Sequence, residues 1–269
     1  MKLVPYFSRP PLSRFIELIW AVKGTTNYTR EKVLPNGAIE LIINLGSHHK
    51  VVNKVDERKF EVYRESWIAG MQEDYILIEA LQESDLIGIR FRPGGAYPFF
   101  GFPVSEITNR VIESDLILGT LMCELRERLL ETEGLDQRIR MIEDFLLKRI
   151  DPATEDPLIT YALREIRNND GQRSIRELSR EVGLSNKQLI SRFRKVAGVS
   201  PKLLSRIFRF QSVISCVKNQ KRVCWTEVAQ QCNYYDQAHM IREFHLFSDS
   251  NPSHYIQHRD DDENHIVVE

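Results

Sequence analysis

The sequence predicts an α+β protein in two parts. A β-rich N-terminal half of sandwich or barrel character carries a helical pair, and an all-α half follows with two helix-turn-helix units joined by a long helix. Three observations support this. Short runs rich in Val, Ile, Leu and aromatic residues follow one another up to about Phe100. After Gly101 the apolar spacing changes from strand-like to helical. Between Gly171 and Arg259 one pattern of helix caps and turn residues occurs twice.

The first run of strands includes "AIELIINLG" (Ala38 to Gly46), "KVVNKV", "KFEVYR", "YILIEAL" and "DLIGIRF". Turn chemistry at Pro35-Asn36-Gly37 and Arg92-Pro93-Gly94-Gly95 separates several of them, and many short strands in sequence suit an antiparallel sandwich or barrel. From Asp115 to Ile150 two amphipathic helices are expected, with Leu135, Ile139, Ile142, Leu146 and Ile150 on one stripe. Such a pair can pack on the sheet or against a second copy of the chain. "DPATEDP" (Asp151 to Pro157) then reads as a linker. The expected domains are 1–152, a β-rich regulatory part; 157–259, an all-α part; and 260–269, an acidic tail taken as a solvated, frayed terminus.

The all-α part is parsed by its caps. Ser174 with Glu177 forms a capping-box pattern that opens a helix at Ile175, and Gly183 supplies the left-handed residue that ends it. Ser185 with Gln188 opens the next helix, with Leu189, Phe193 and Val196 inward, and Gly198 ends that one. Ser179 is the small residue that the helix crossing needs. The second helix exposes Lys187, Gln188, Ser191 and Arg194 or Lys195. Ser200-Pro201 then starts a helix with Leu203, Ile207, Phe210, Ile214 and Val217 at its core face. About eighteen residues at about 1.5 Å each span roughly 27 Å. That length brings two readers near the 34–36 Å repeat (about one turn) of a duplex. In the second unit Ala229 is the small residue, Asn233 takes the turn and Asp236 caps a helix from Gln237 to about Phe247. Met240, Phe244 and Phe247 face inward there, and Gln237, Ala238, His239 and Arg242 face outward.

"GLS", "GVSP" and "YYDQAHMIREF", in this order and at these separations, resemble the DNA-binding domain of AraC-type transcription regulators over roughly Pro157 to Gln257. "LPNGAIELIINLG" and "IGIRFRPGGAYPFFG" resemble the regulatory domain of one branch of that family. The resemblance implies that each second helix enters a major groove of double-stranded DNA. The implied base-reading positions are Lys187, Ile190 and Ser191 in the first unit and Ala238, His239 and Arg242 in the second. The resemblance places Gln188, Arg192, Arg194, Lys195 and Gln237 as expected contacts at or near the DNA backbone. Two positions depart from the family pattern. Ser191 stands where arginine is common, with Arg192 as a substitute, and Asn233 stands where glycine is usual. Further implied partners are a small-molecule effector in the N-terminal half, RNA polymerase if the chain activates, and a second copy in a homodimer.

Charge supports this reading. The net charge is -1, yet Gly171 to Arg259 holds 15 Lys/Arg against 6 Asp/Glu, a basic block joined to an acidic remainder. The rival reading is a small-molecule-binding or protein-association module that has lost DNA binding.

Other chemistries are weighed and set aside. Cys232, His239 and His245 could suggest a metal, but the two histidines stand about 240° apart round a helix. Cys232 is placed as an apolar helix end, and His48-His49 as solvent-exposed turn histidines. "RPGGAYPFFG" lacks the lysine and glycine spacing of a phosphate loop. Nothing motivates a catalytic residue, a metal or a cofactor. Four cysteines without Cys-x-x-Cys spacing, and no signal peptide or membrane-spanning run, lead to the expectation of a cytoplasmic protein.

Overall fold

The computed structural model describes residues 3–25, 28–80, 83–218, 220, 223–259 and 264–268. In chain order it has strands β1 (Val4–Tyr6), β2 (Ile16–Gly24), β3 (Arg30–Val33), β4 (Glu40–Asn44), β5 (His49–Val52), β6 (Phe60–Tyr63), β7 (Ser66–Ala69), β8 (Ile76–Ala80) and β9 (Ser84–Phe91). Helix α1 (Tyr97–Phe100), strand β10 (Val111–Glu113) and helices α2 (Asp115–Leu118), α3 (Thr120–Glu131) and α4 (Leu135–Arg149) follow. The helical half comprises α5 (Pro157–Asn168), α6 (Ile175–Glu181), α7 (Asn186–Ala197), α8 (Pro201–Val217), α9 (Trp225–Gln231), α10 (Gln237–Ser248) and α11 (Pro252–His258), and the chain ends in strand β11 (His265–Val267).

Two antiparallel sheets form, one in the order β1-β2-β9-β4-β7-β10 and the other in the order β11-β3-β8-β5-β6. The two-residue alternation of strands gives the six-stranded sheet two different faces. Ile19, Leu41, Ile43, Ile68, Ile87 and Ile89 are buried in a core that also takes Met122, Leu125 and Leu129 of α3 and Ile139, Ile142 and Leu146 of α4. Their neighbours Trp20, Glu40, Ile42, Leu86 and Arg90 point the other way, into a space bounded by the second sheet. The helical pair therefore covers the outer face of this sheet. The stretch expected as one helix from Asp115 breaks at Gly119, whose positive φ of 71° separates α2 from α3.

The expected linker is built into the structure. Pro152–Thr154 forms a 3₁₀ turn, and the Asp156 side chain caps α5 by accepting from the Ile159 N–H. One hydrophobic core runs from the six-stranded sheet through Ile159 and Leu163 of α5 to Leu189, Phe193 and Leu204. A second core joins Ile207, Phe210 and Ile214 of α8 to α9, α10 and α11 and reaches back to Leu34. Helix α8 is thus shared: Leu204 and Phe208 pack into the first core, while Ile207, Phe210, Val213, Ile214 and Val217 pack into the second. Polar contacts add to the joint, with Gln211 Nε2 donating to the Pro35 carbonyl at 2.8 Å and Thr108 Oγ1 to the Gly198 carbonyl at 2.9 Å.

The tail requires a correction. Of the segment expected to be frayed, 260–263 and 269 lie outside the described residues, but His265–Val267 forms β11 and pairs antiparallel with β3. The Leu34 N–H donates to the Asn264 carbonyl at 2.7 Å and the Val268 N–H to the Arg30 carbonyl at 3.0 Å. Ile266 is buried in the second core, and apolar burial holds the strand down despite its acidic approach.

Candidate nucleic-acid interface and interior cavity

The two helix-turn-helix units are built by the same backbone bonds. In the first, the Gly183 N–H donates to Arg180 O at 3.1 Å and the Leu184 N–H to Ser179 O at 3.0 Å. In the second, the Asn233 N–H donates to Gln230 O at 3.1 Å and the Tyr234 N–H to Ala229 O at 2.9 Å. Gly183 and Asn233 both take positive φ, 68° and 55°. Asn pays a small steric penalty for this that Gly does not. The second turn is one residue longer, and the insertion leaves Tyr235 93% exposed. Small buried residues, Ser179 and Ala229, let the helices cross.

Each reader helix is capped as expected. Ser185 Oγ accepts from the Gln188 N–H at 3.3 Å while Gln188 Oε1 accepts from the Ser185 N–H at 3.0 Å, and Asp236 Oδ1 accepts from the His239 N–H at 2.6 Å. Ser185→Ala is expected to lower the unfolding free energy by about 1 kcal/mol. Denaturant melts of the two proteins check this, and an unchanged midpoint would show the cap to be idle.

On α7, Lys187, Ser191, Arg194 and Lys195 are exposed, and Ile190 is 37% exposed. Lys187, Ile190, Ser191, Arg194 and Lys195 surround one shallow depression. Spacings of three and four put Lys187, Ile190, Ser191 and Arg194 on one helix face. Ser105, from the 3₁₀ turn Val104–Ile107 of the N-terminal half, borders the same depression, which the sequence did not suggest. On α10, Ala238 and Arg242 are exposed, whereas His239 is half-buried with its ring edge-on to Tyr234 at 5.4 Å. Lys187, Arg194 and Arg242 make no ion pair among the described residues.

Three of the backbone positions are otherwise engaged. Arg192 is held by a bidentate pair with Asp156, both contacts at 2.6 Å, so it is not free to replace the arginine missing at Ser191. Gln188 spends its carbonyl oxygen on the cap, and Gln237 Oε1 accepts from Thr226 Oγ1 at 3.0 Å. The other basic side chains of this half are partly neutralised in place: Arg206 pairs with Glu243 at 2.7 Å and Arg173 with Glu181.

Cys232, His239 and His245 do not converge. The Cys232 sulfur faces that of Cys216 at 3.6 Å, and burial pushes its thiol up to about 12, so it stays protonated. His245 lies 3.9 Å from Asp249, the left-handed residue that ends α10.

The space between the sheets is a cavity of about 610 Å³. Trp20, Tyr63 and Trp67 give it aromatic walls, with the Tyr63 and Trp67 rings 5.8 Å apart. His49 is part of this wall, not an exposed turn residue: it opens β5, is buried, and lies 5.6 Å from Trp67 and 3.3 Å from the Ser84 hydroxyl. Burial lowers its pKa, which keeps the imidazole neutral. Glu40 accepts from Arg90 at 2.7 Å and from Trp20 Nε1 at 2.9 Å. Asn264 and His265 of the C-terminal segment close one side. Sequence reasoning missed this cavity. The only trace of it is the alternation of Glu40 and Ile42 with Leu41 and Ile43, because the second sheet that encloses it comes from distant segments.

Among the described residues no helix is long and apolar enough to cross a membrane. Residues 6–113 match the family model of a domain of unknown function (DUF6597). No curated protein matches the sequence. Among solved structures, ToxT from Vibrio cholerae in complex with an unsaturated fatty acid is 11% identical over 88% of this chain and 93% of that one, with a TM-score of 0.46. The xylose-binding transcription activator XylR is 19% identical over 51% of this chain and 37% of that one, with a TM-score of 0.33. ToxT from Vibrio cholerae, in a 1.65 Å structure, superposes with a TM-score of 0.50 at 11% identity over 89% of this chain and 98% of that one. By its fold, a β-rich half joined to a helical half, the chain is therefore similar to ToxT along most of its length.

Proposed function

We propose that the chain is a sequence-specific DNA-binding transcription regulator of the AraC type, with α7 and α10 as reading helices and activity modulated through the N-terminal half. One observation carries the reading: the same turn, with the same backbone hydrogen bonds, is built twice, and among the described residues the first copy presents Lys187 and Arg194 without an ion pair and the second presents Arg242. Arg194 and Lys195 supply salt-sensitive affinity for phosphates, while Lys187, Ile190, Ser191, Ala238 and Arg242 meet base edges. Half-buried His239 contributes through its ring edge or a phosphate.

The N-terminal cavity supports the modulation. The loop Leu34–Asn36 lines it and packs on α8 through the Gln211 bond, and β11, which follows the second unit, forms part of its wall. A molecule in the cavity therefore touches the two segments that hold the readers.

The test is selection of bound duplexes from a random pool by the full chain, followed by a salt titration on the recovered site. Enrichment of one sequence and a steep, log-linear loss of affinity with salt are expected. Arg242→Ala should then cost about 1–3 kcal/mol at one base pair and relax preference there. Equal weakening on all sequences would make Arg242 a phosphate contact, and no enriched sequence would favour the association module.

A further inference from the structure

The interior cavity also points to the kind of molecule it takes, an inference that rests on the modulation proposed above. Its volume, about 610 Å³, lies within the range of about 300–1,000 Å³ that small-molecule sites occupy. Its charged side chains are already spent on one another. Glu40 accepts from Arg90 at 2.7 Å, from Trp20 Nε1 at 2.9 Å and from Asn36 Nδ2 at 3.2 Å. Glu31 accepts from Tyr28 at 3.0 Å and lies 2.7 Å from His265 Nδ1. Lys50 donates to Glu79 at 2.8 Å.

An anionic ligand would bring into a half-buried site a charge with no counter-charge of its own, because Arg90 and Lys50 are already balanced by Glu40 and Glu79. A cationic ligand would meet the converse cost. Either cost exceeds what one new contact returns. A sugar fares no better, because each of its hydroxyls gives up water and finds few unspent partners in this wall. What the wall does offer is aromatic surface. His49 adds its ring beside Trp67, with Nε2 3.3 Å from Ser84 Oγ and Nδ1 shut off from the cavity.

We propose that the cavity binds an uncharged, flat, largely apolar molecule, aromatic or fused-ring, with its rings against the Trp67 and Tyr63 wall. Stacking and apolar burial supply the affinity.

The experiment is calorimetric titration of the full chain at neutral pH with four probes of one shape: naphthalene, 2-naphthol, 2-naphthoate and 2-naphthylmethylammonium, with xylose as the polyhydroxyl control. The expected result is one saturable site for 2-naphthol, with binding of the anion and of the cation at least about tenfold weaker, and none of xylose. Naphthalene is expected to bind the same site within about tenfold of 2-naphthol, because apolar burial supplies the affinity. Tighter binding of either charged probe or of xylose overturns the proposal, and so does a wild-type chain that binds none of the five. A duplex selection on the same preparation separates the two readings. A chain that selects DNA and binds no probe loses only the ligand class, and a chain that binds 2-naphthol and selects no DNA loses the regulator.

Discussion

Phe210→Ala is expected to lower the unfolding free energy by about 3–5 kcal/mol and to disorder the second reader before the first. Phe210 is fully buried near the middle of α8, with its ring 5.0 Å from Phe244 and 5.1 Å from Phe247, both on the inner stripe of α10. Truncation leaves a cavity where three aromatic rings met, and close-packed neighbours fill such a space only in part. The loss falls in the second core, while the first core, from the sheet to Leu204, keeps its contacts. Denaturant unfolding gives the size of the effect. Hydrogen exchange places it, and the amides of α9 and α10 should lose more protection than those of α6 and α7. On the selected duplex the variant should keep the contacts of α7 and lose those of α10. A loss below about 1 kcal/mol, or equal loss of protection in both units, would mean that the two cores are not separate in energy.

Ile266→Asp is expected to detach β11 from β3. Ile266 is 1% exposed and packs with Leu34 and the fully buried Tyr255 in the core of the second reading unit. A carboxylate there has no partner, and burying one unpaired costs several kcal/mol. A three-residue edge strand costs less than that to release, so the strand leaves and the loss of stability stops at about what it contributed, some 2–4 kcal/mol. The Leu34 N–H then loses its bond to Asn264, and His265 leaves Glu31 and the cavity wall. Faster exchange at Leu34 and Val268, with α7 unchanged, is the expected signature. Exchange at Leu34 that stays as slow as in the parent would show that β11 does not hold this edge. With the strand gone, DNA affinity should also become less sensitive to occupancy of the cavity.

Both variants mark where sequence reasoning works and where it stops. The inner stripes of the readers were legible, since Leu189, Phe193, Val196, Met240, Phe244 and Phe247 follow helical spacing and all six are buried. So were the caps at Ser174, Ser185, Ser200 and Asp236, whose side chains accept from the N–H three residues on. Five strands could be named from their composition. The longest strand, β2, with the aromatic Trp20 on its cavity side, was not among them, nor was β7, because Trp67 and its neighbours make only a four-residue run. Arg192 looked available because nothing near it in sequence carries the opposite charge, and its partner Asp156 stands 36 residues earlier.

The sequence by itself determined where α6, α7 and α10 begin and end, how the chain turns twice between paired helices, and most of the residues of α7 and α10 that face outward, His239 excepted. These features depend on groups within four or five residues of one another, since a capping side chain or a left-handed residue satisfies its own helix end. Only the tertiary structure decided that the linker is ordered, that His49 is buried, that the tail returns as a strand and that the sheets enclose a cavity. Each of these depends on burial by partners far away in the chain. Ile266 reads as one apolar residue after an acidic run until Leu34 and Tyr255, brought together by two cores and a shared helix, provide the place that takes it out of water.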